Sequence, residues 1–254
     1  MRLVAFCEAR GDFDTLSGLV DRVLAGHATW IADLLDGGAE VAAAVRTWHG
    51  DTLLHQTEFF DLHGIRAYRE ALELRPIHGR FGGEPGAAGA AMARTAFQIV
   101  RELRRRHSDN PIDAVLLVWD TDDDLTRISG LEQARDLAWD FAIAIGCPHV
   151  ERESWVLSGF EPRDEGERER LGTLRAEIGF APNEHPHELT AKHDHDKKSV
   201  KRVLGFLTGG DRERETACWR DTPLATLRER GNANGLAAFL DEVAERIVPL
   251  CVRR

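Results

Sequence analysis

Acidic side chains placed directly after apolar runs are the residues of this chain best suited to chemistry. Glu8 follows Leu3-Val4-Ala5-Phe6-Cys7, and Asp120-Thr121-Asp122 follows Val115-Leu116-Leu117-Val118-Trp119. Two carboxylates spaced as Asp-x-Asp off a strand end can turn into one site, and crowded carboxylates repel unless a hard dication neutralises them. Mg2+ or Mn2+ takes such oxygen ligands and keeps several waters, which suits activation of water and clamping of phosphoryl oxygens. Glu153, ahead of Trp155-Val156-Leu157, is a further carboxylate for that shell, because two-metal phosphodiester cleavage draws on several acidic ligands. Beside Arg152 it reads equally well as a surface acid. Helix capping is the plainer role for acids that follow strands, and it suits Asp14 and Asp124.

These acids need strands to aim them. The run Leu3 to Cys7 is short and continuously apolar, and Leu16, Leu19, Val20, Val23 and Leu24 after it carry helical spacing. Residues 112–119 form a second buried strand, and Leu131, Ala134, Leu137, Ala138 and Phe141 line a following helix that Gly146 would end. Continuous apolar strands alternating with helices predict an α/β fold with a mainly parallel sheet, whose ligands bind near the carboxyl ends of the strands. Between the two units lie a helix or strand around residues 40–48, a helix around 65–74, a glycine-rich loop over 79–89 and a helix over 93–106. That loop lacks the Gly-Lys-Ser/Thr ending of a phosphate-binding P-loop. Residues 148–157 read as another strand leading into a turn. Beyond about residue 161 the text becomes charged and helical, with helices over 189–207, 217–230 and 235–250. The expected organisation is an α/β domain over 1–160 and a helical region over 161–254 packed on it.

With 254 residues, 43% hydrophobic and 30% charged, the chain has material for a sizeable core, which excludes disorder and collagen. Its net charge of -10 means that a nucleic-acid partner, DNA or RNA, has to be held by local basic patches or bridging cations. The four cysteines form no Cys-x-x-Cys pair, which argues against a zinc ribbon and a disulfide framework and fits a reducing cytoplasm. The apolar run after Met1-Arg2 is too short for a signal peptide, and no stretch reaches the roughly 18 apolar residues of a membrane span. Whether the chain acts singly or as a homo-oligomer is left open.

Basic side chains gather in residues 192–202, which carry five Lys or Arg against two Asp. Lys192 and Lys197 are candidates to stabilise charge developing on phosphoryl oxygens, with a solvated helix face as the plain alternative. Arg104, Arg105 and Arg106 read in the same two ways. His185, His187, His193 and His195 crowd into eleven residues. No cysteine lies nearby and no His-Glu-x-x-His is present, so the ordinary zinc sets are unmatched, and exposed imidazoles on a turn around Pro186 are the simple reading.

The segment Phe6-Cys7-Glu8-Ala9-Arg10-Gly11-Asp12 resembles the opening motif of TOPRIM domains, and Val118-Trp119-Asp120-Thr121-Asp122 resembles their later Asp-x-Asp strand end. Residues 150–157, 192–204 and 231–239 are similar to a bacterial branch of TOPRIM-like proteins encoded near ATPases in phage-defence neighbourhoods, related to the overcoming-lysogenization-defect nucleases. Ala9 departs from the glycine that many of these domains carry. The resemblance implies a Rossmann-like core, Mg2+ or Mn2+ on Asp120 and Asp122, a metal or acid-base role for Glu8, phosphodiester chemistry on nucleic acid, and an ATPase protein partner. The only tyrosine, Tyr68, falls in an amphipathic helix and gives no obvious covalent nucleophile for a topoisomerase, and a primase would commonly bring a zinc ribbon, so a hydrolytic nuclease leads. Two rivals stand beside it. A haloacid-dehalogenase-like phosphatase would use the first Asp as nucleophile, although Asp124 occupies the position where that family usually has Thr or Val. A noncatalytic binding or regulatory subunit of an ATPase complex would keep the fold without the chemistry.

Overall fold

In the computed structural model, which describes residues 1–252 apart from 78, 82 and 192, the first apolar run is strand β1 (Arg2–Cys7), five of whose six residues are buried. By Cα proximity the chain divides into two units, Met1–Trp119 with Asp124–Gly146 and Asp241–Arg254, and Asp120–Asp123 with Cys147–Leu240.

In the first unit β1 leads to α1 (Arg10–His27), α2 (Thr29–Asp36), α3 (Ala39–Ala42), β2 (Thr47–Trp48), β3 (Phe60–Asp61) and α4 (Ile65–Ala71). A small hairpin of β4 (Arg80–Phe81) and β5 (Glu84–Pro85) interrupts the glycine-rich loop, and α5 (Ala90–Arg106), β6 (Ala114–Val118), α6 (Thr126–Arg135) and β7 (Ala142–Gly146) follow. The sheet order is β2-β1-β6-β7, with every pairing parallel. The edge of β1 away from β6 is shared, β2 taking its start and β3 its end, where Cys7 pairs with Asp61. All five residues of β6 are buried, as expected of a parallel strand covered on both faces. Phe13, Leu16, Leu19, Val20, Val23 and Leu24 of α1, and Ala93, Ala96, Phe97, Val100 and Leu103 of α5, are buried at helical spacing.

The helix expected through Phe141 ends at Arg135, and the following Ala-Ile-Ala-Ile-Gly is strand β7, paired residue by residue with β6 from Ala142 against Ala114 to Gly146 against Val118. Sheet pairing and burial overrule the helical propensity of its alanines.

The second unit is helical: α7 (Glu153–Ser158), α8 (Glu165–Ile178), α9 (Val200–Thr208), α10 (Arg212–Asp221) and α11 (Leu224–Arg230). The last helices are α12 (Leu236–Arg246) and α13 (Val248–Val252). The strand expected over 148–157 is instead a loop followed by α7, and the carbonyls of Pro148 and Val150 accept from the amides of Thr121 and Asp122. The helix expected over 189–207 begins only at Val200, because the Ser199 hydroxyl caps it by accepting the Arg202 amide proton. The one expected over 217–230 is split at Thr222-Pro223.

Trp155 is buried, donates its indole proton to the Asn234 carbonyl at 2.8 Å and stacks on Phe239, so it is a core residue as its apolar surroundings suggest. Asn234 is fully buried. Its Nδ2 donates to the Ser154 carbonyl and Ser158 Oγ, its Oδ1 accepts from the Leu236 amide, and its carbonyl also accepts from the His149 amide. Gly235 beside it sits at φ +85°, and a Cβ there would lie 2.3 Å from the Cys147 carbonyl oxygen.

Candidate functional site

Glu8 leaves the carboxyl end of β1, and because β1 and β6 are adjacent and parallel, Trp119 leaves the same edge of the sheet. The Trp119 indole donates to Glu8 Oε1 at 3.1 Å, so the carboxylate is oriented by a donor from the neighbouring strand end. The indole is itself clamped. The Arg127 guanidinium lies over its ring at 4.4 Å, and Gly89, at φ +80°, approaches so closely that a Cβ there would come within 2.8 Å of it. The His63 imidazole is 4.0 Å from Glu8 Oε1, and the Glu8 side chain keeps 23% of its surface exposed. The acid four residues on, Asp12, accepts from the amides of Glu8 and Ala9 and closes the first turn of α1, a capping role that also holds the Glu8 backbone. Burial pushes the Cys7 thiol far up from its ordinary range, which removes it as a thiolate nucleophile. Tyr68 is also buried, with its hydroxyl donating to Asp51 at 2.9 Å, and burial is the main cause of its raised pKa.

Asp120 is half-buried and Asp122 exposed, on a short turn in the second unit. Thr121 between them is fully buried. Its amide donates to the Pro148 carbonyl at 2.9 Å, and its hydroxyl bonds His149 Nδ1 at 3.1 Å. The Asp122 amide donates to the Val150 carbonyl at 3.2 Å. Asp122 and Asp123 both adopt left-handed backbone, at φ 48° and 67°, a conformation that short acidic side chains tolerate better than most. The turn is therefore held by Thr121 and by backbone bonds. Burial lowers the pKa of His149, with His187 acting in the same direction and Asp123 against it.

Glu153 opens α7, where its carboxylate meets the Arg152 guanidinium at 2.8 Å with both side chains largely buried. To serve a metal it would have to exchange that cation for another. Lys197 is 72% exposed and pairs loosely with Glu177 of α8 at 3.9 Å; Lys192 falls outside the described residues. The ammonium set beside the stretch around Glu153 is that of Lys201, 2.8 Å from Glu151. Burial depresses its pKa, but Glu151, Glu153 and Asp194 outweigh that and raise it. The capped start of α9 distinguishes these lysines, since Lys197 precedes the helix and Lys201 stands in its first turn. Nothing in residue spacing separates them beforehand.

Carboxylate oxygen is the donor chemistry of a hard dication, and in that respect Asp120 and Asp122 fit Mg2+ or Mn2+. The metal-ligating atoms that do converge to within 4.8 Å of one another among the described residues belong to another set, His185, His187 and Glu188. Comparison of the chain with protein-family models, curated proteins and solved structures finds no significant match. No helix among the described residues is long and apolar enough to cross a membrane.

Proposed function

We propose that this protein is a TOPRIM-like phosphodiesterase that hydrolyses DNA or RNA with Mg2+ or Mn2+, in bacterial anti-phage defence and beside an ATPase partner. The observation that carries this reading is the setting of Glu8. It ends a buried parallel strand, is oriented by the indole that ends the adjacent strand, and that indole is followed in the chain by Asp120-Thr121-Asp122. Carboxyl ends of parallel strands are where ligands bind in open α/β sheets.

In this proposal Asp120 and Asp122 hold the dication, Glu153 completes the shell on release from Arg152, and Glu8 either adds a metal oxygen or moves a proton. The ion would supply Lewis acidity toward the phosphoryl oxygens and lower the pKa of water. Trp119 keeps one Glu8 oxygen engaged as an acceptor and so fixes the direction in which the carboxylate points. Lys192 or Lys197 would stabilise charge on the departing oxygen.

The test is cleavage of DNA and RNA by the purified full chain with Mg2+, Mn2+ or EDTA, alone and with the neighbouring ATPase. Glu8→Gln and Asp120→Asn are each expected to lower metal-dependent cleavage by about 100-fold or more. Cleavage that persists in EDTA or in both variants would reject the mechanism. A chain that binds the ATPase but leaves nucleic acid intact in its presence would establish the noncatalytic alternative.

A further inference from the structure

The histidines left aside by the carboxylate reading form the tightest group of metal-ligating atoms. His185, Pro186, His187 and Glu188 lie on a short 3-10 turn, Pro186–Glu188, with His185 at its amino end. Pro186 is buried and locks one backbone torsion, while the two imidazoles stand at 81° to each other with centroids 6.0 Å apart. One ligand atom from each of His185, His187 and Glu188 lies within 4.8 Å of the other two. For three such atoms some point lies within about 2.8 Å of all of them, so side-chain shifts of under about 1 Å reach the 2.0–2.2 Å bonds of zinc.

A second observation points the same way. Nδ1 of His187 is buried and has no hydrogen-bond partner among the described residues. A buried imidazole nitrogen without a partner is destabilising, and a metal held by His187 through that nitrogen would satisfy it. His185 and His187 also line a cleft of about 570 Å³, where Glu161, Glu184 and Glu229 outnumber the guanidinium of Arg230 and make the surroundings favourable to a cation.

We propose that His185, His187 and Glu188 bind one borderline transition-metal dication, Zn2+ by preference, with the remaining coordination position filled by solvent from the cleft. Two imidazoles and a carboxylate are a zinc set with an open position, whereas Mg2+ prefers all-oxygen surroundings. None of its three ligands is among the carboxylates assigned to nucleic-acid cleavage.

The test uses the full chain, stripped of metal with EDTA and titrated with Co2+ as a visible probe, then with Zn2+ in competition. Expected are d–d absorption bands that saturate at one equivalent of Co2+ and are displaced by Zn2+. His187→Ala should weaken binding at least about tenfold, as should Glu188→Gln, while Asp120→Asn and the pair His193→Ala/His195→Ala keep the bands. Should His187→Ala fail to fold, judged by far-ultraviolet circular dichroism, the exposed His185→Ala makes the same test. Absence of Co2+ bands, or bands unchanged in the folded histidine variants, overturns the proposal. Mg2+-dependent cleavage is expected to survive His187→Ala, so failure of this site and failure of the nuclease reading are separate results.

Discussion

Replacement of Trp119 by Phe removes the indole proton that reaches Glu8 Oε1 at 3.1 Å while leaving an aromatic ring between Gly89 and Arg127. A hydrogen bond to a charged acceptor is worth about 1.5–3 kcal/mol, and water replaces part of it here because the Glu8 side chain keeps 23% exposure. The bond itself should therefore contribute about 1 kcal/mol. Trp119→Phe should cost about 2 kcal/mol in all, the remainder coming from lost area and a weaker cation–π contact with Arg127. The assay is a double-mutant cycle of Trp119→Phe and Glu8→Ala, read by urea unfolding at neutral pH. Coupling near 1 kcal/mol is expected, and additivity within about 0.4 kcal/mol would show that the indole does not support the carboxylate.

Asn234→Ala removes three side-chain hydrogen bonds from a fully buried position and should cost about 2–4 kcal/mol in urea unfolding; a loss below 1 kcal/mol would contradict its place in the core. Stability should also fall on mild acidification through His49, whose pKa is lowered from 6.5 to about 4 by burial and then by Arg2 and His107. Because the folded pKa lies below the unfolded one, this contribution is complete above about pH 6.5 and is lost progressively toward pH 4, by up to about 3 kcal/mol. His149 acts in the same direction, and a melting temperature recorded against pH should lose much of its slope in that window in His49→Gln.

Strands β1 and β6 are legible in the sequence because they are buried on both faces and so leave uninterrupted apolar runs. Strand β7 is not, since Ala-Ile-Ala-Ile-Gly after an amphipathic stretch reads as a helix end with a glycine cap, and only its pairing with β6 overrules that. The start of α9 depends on one hydroxyl of Ser199, and the break before α11 on Pro223; both signals are present in the text but easily passed over inside helical periodicity. Glu8 and its strand-end position are legible, whereas its indole partner stands 111 residues away. The crowding of histidines is plain as well. Which of the four converge is decided by the 3-10 turn at Pro186, and spacing alone made that turn look like a simple exposed loop.

Within the second unit the turn carrying Asp120 and Asp122 and the group around His187 share their supports. Thr121 and Asp122 are bonded to the backbone of Pro148 and Val150, and the imidazole between those residues, His149, bonds Thr121 and has electrostatic interactions with Asp123 and His187. The backbone carbonyl of Asn234 accepts the His149 amide proton, and its side chain anchors α7 through Ser154 and Ser158. A change confined to ligand chemistry, such as Asp120→Asn or His187→Ala, should therefore act on one metal only. Loss of the His149 imidazole removes its bond to Thr121 and its electrostatic interactions with Asp123 and His187, so His149→Ala should alter Co2+ binding and Mg2+-dependent cleavage together. Separate responses to the ligand variants and a joint response to His149→Ala are what distinguish two metal centres on one scaffold from a single centre whose ligands have been misassigned.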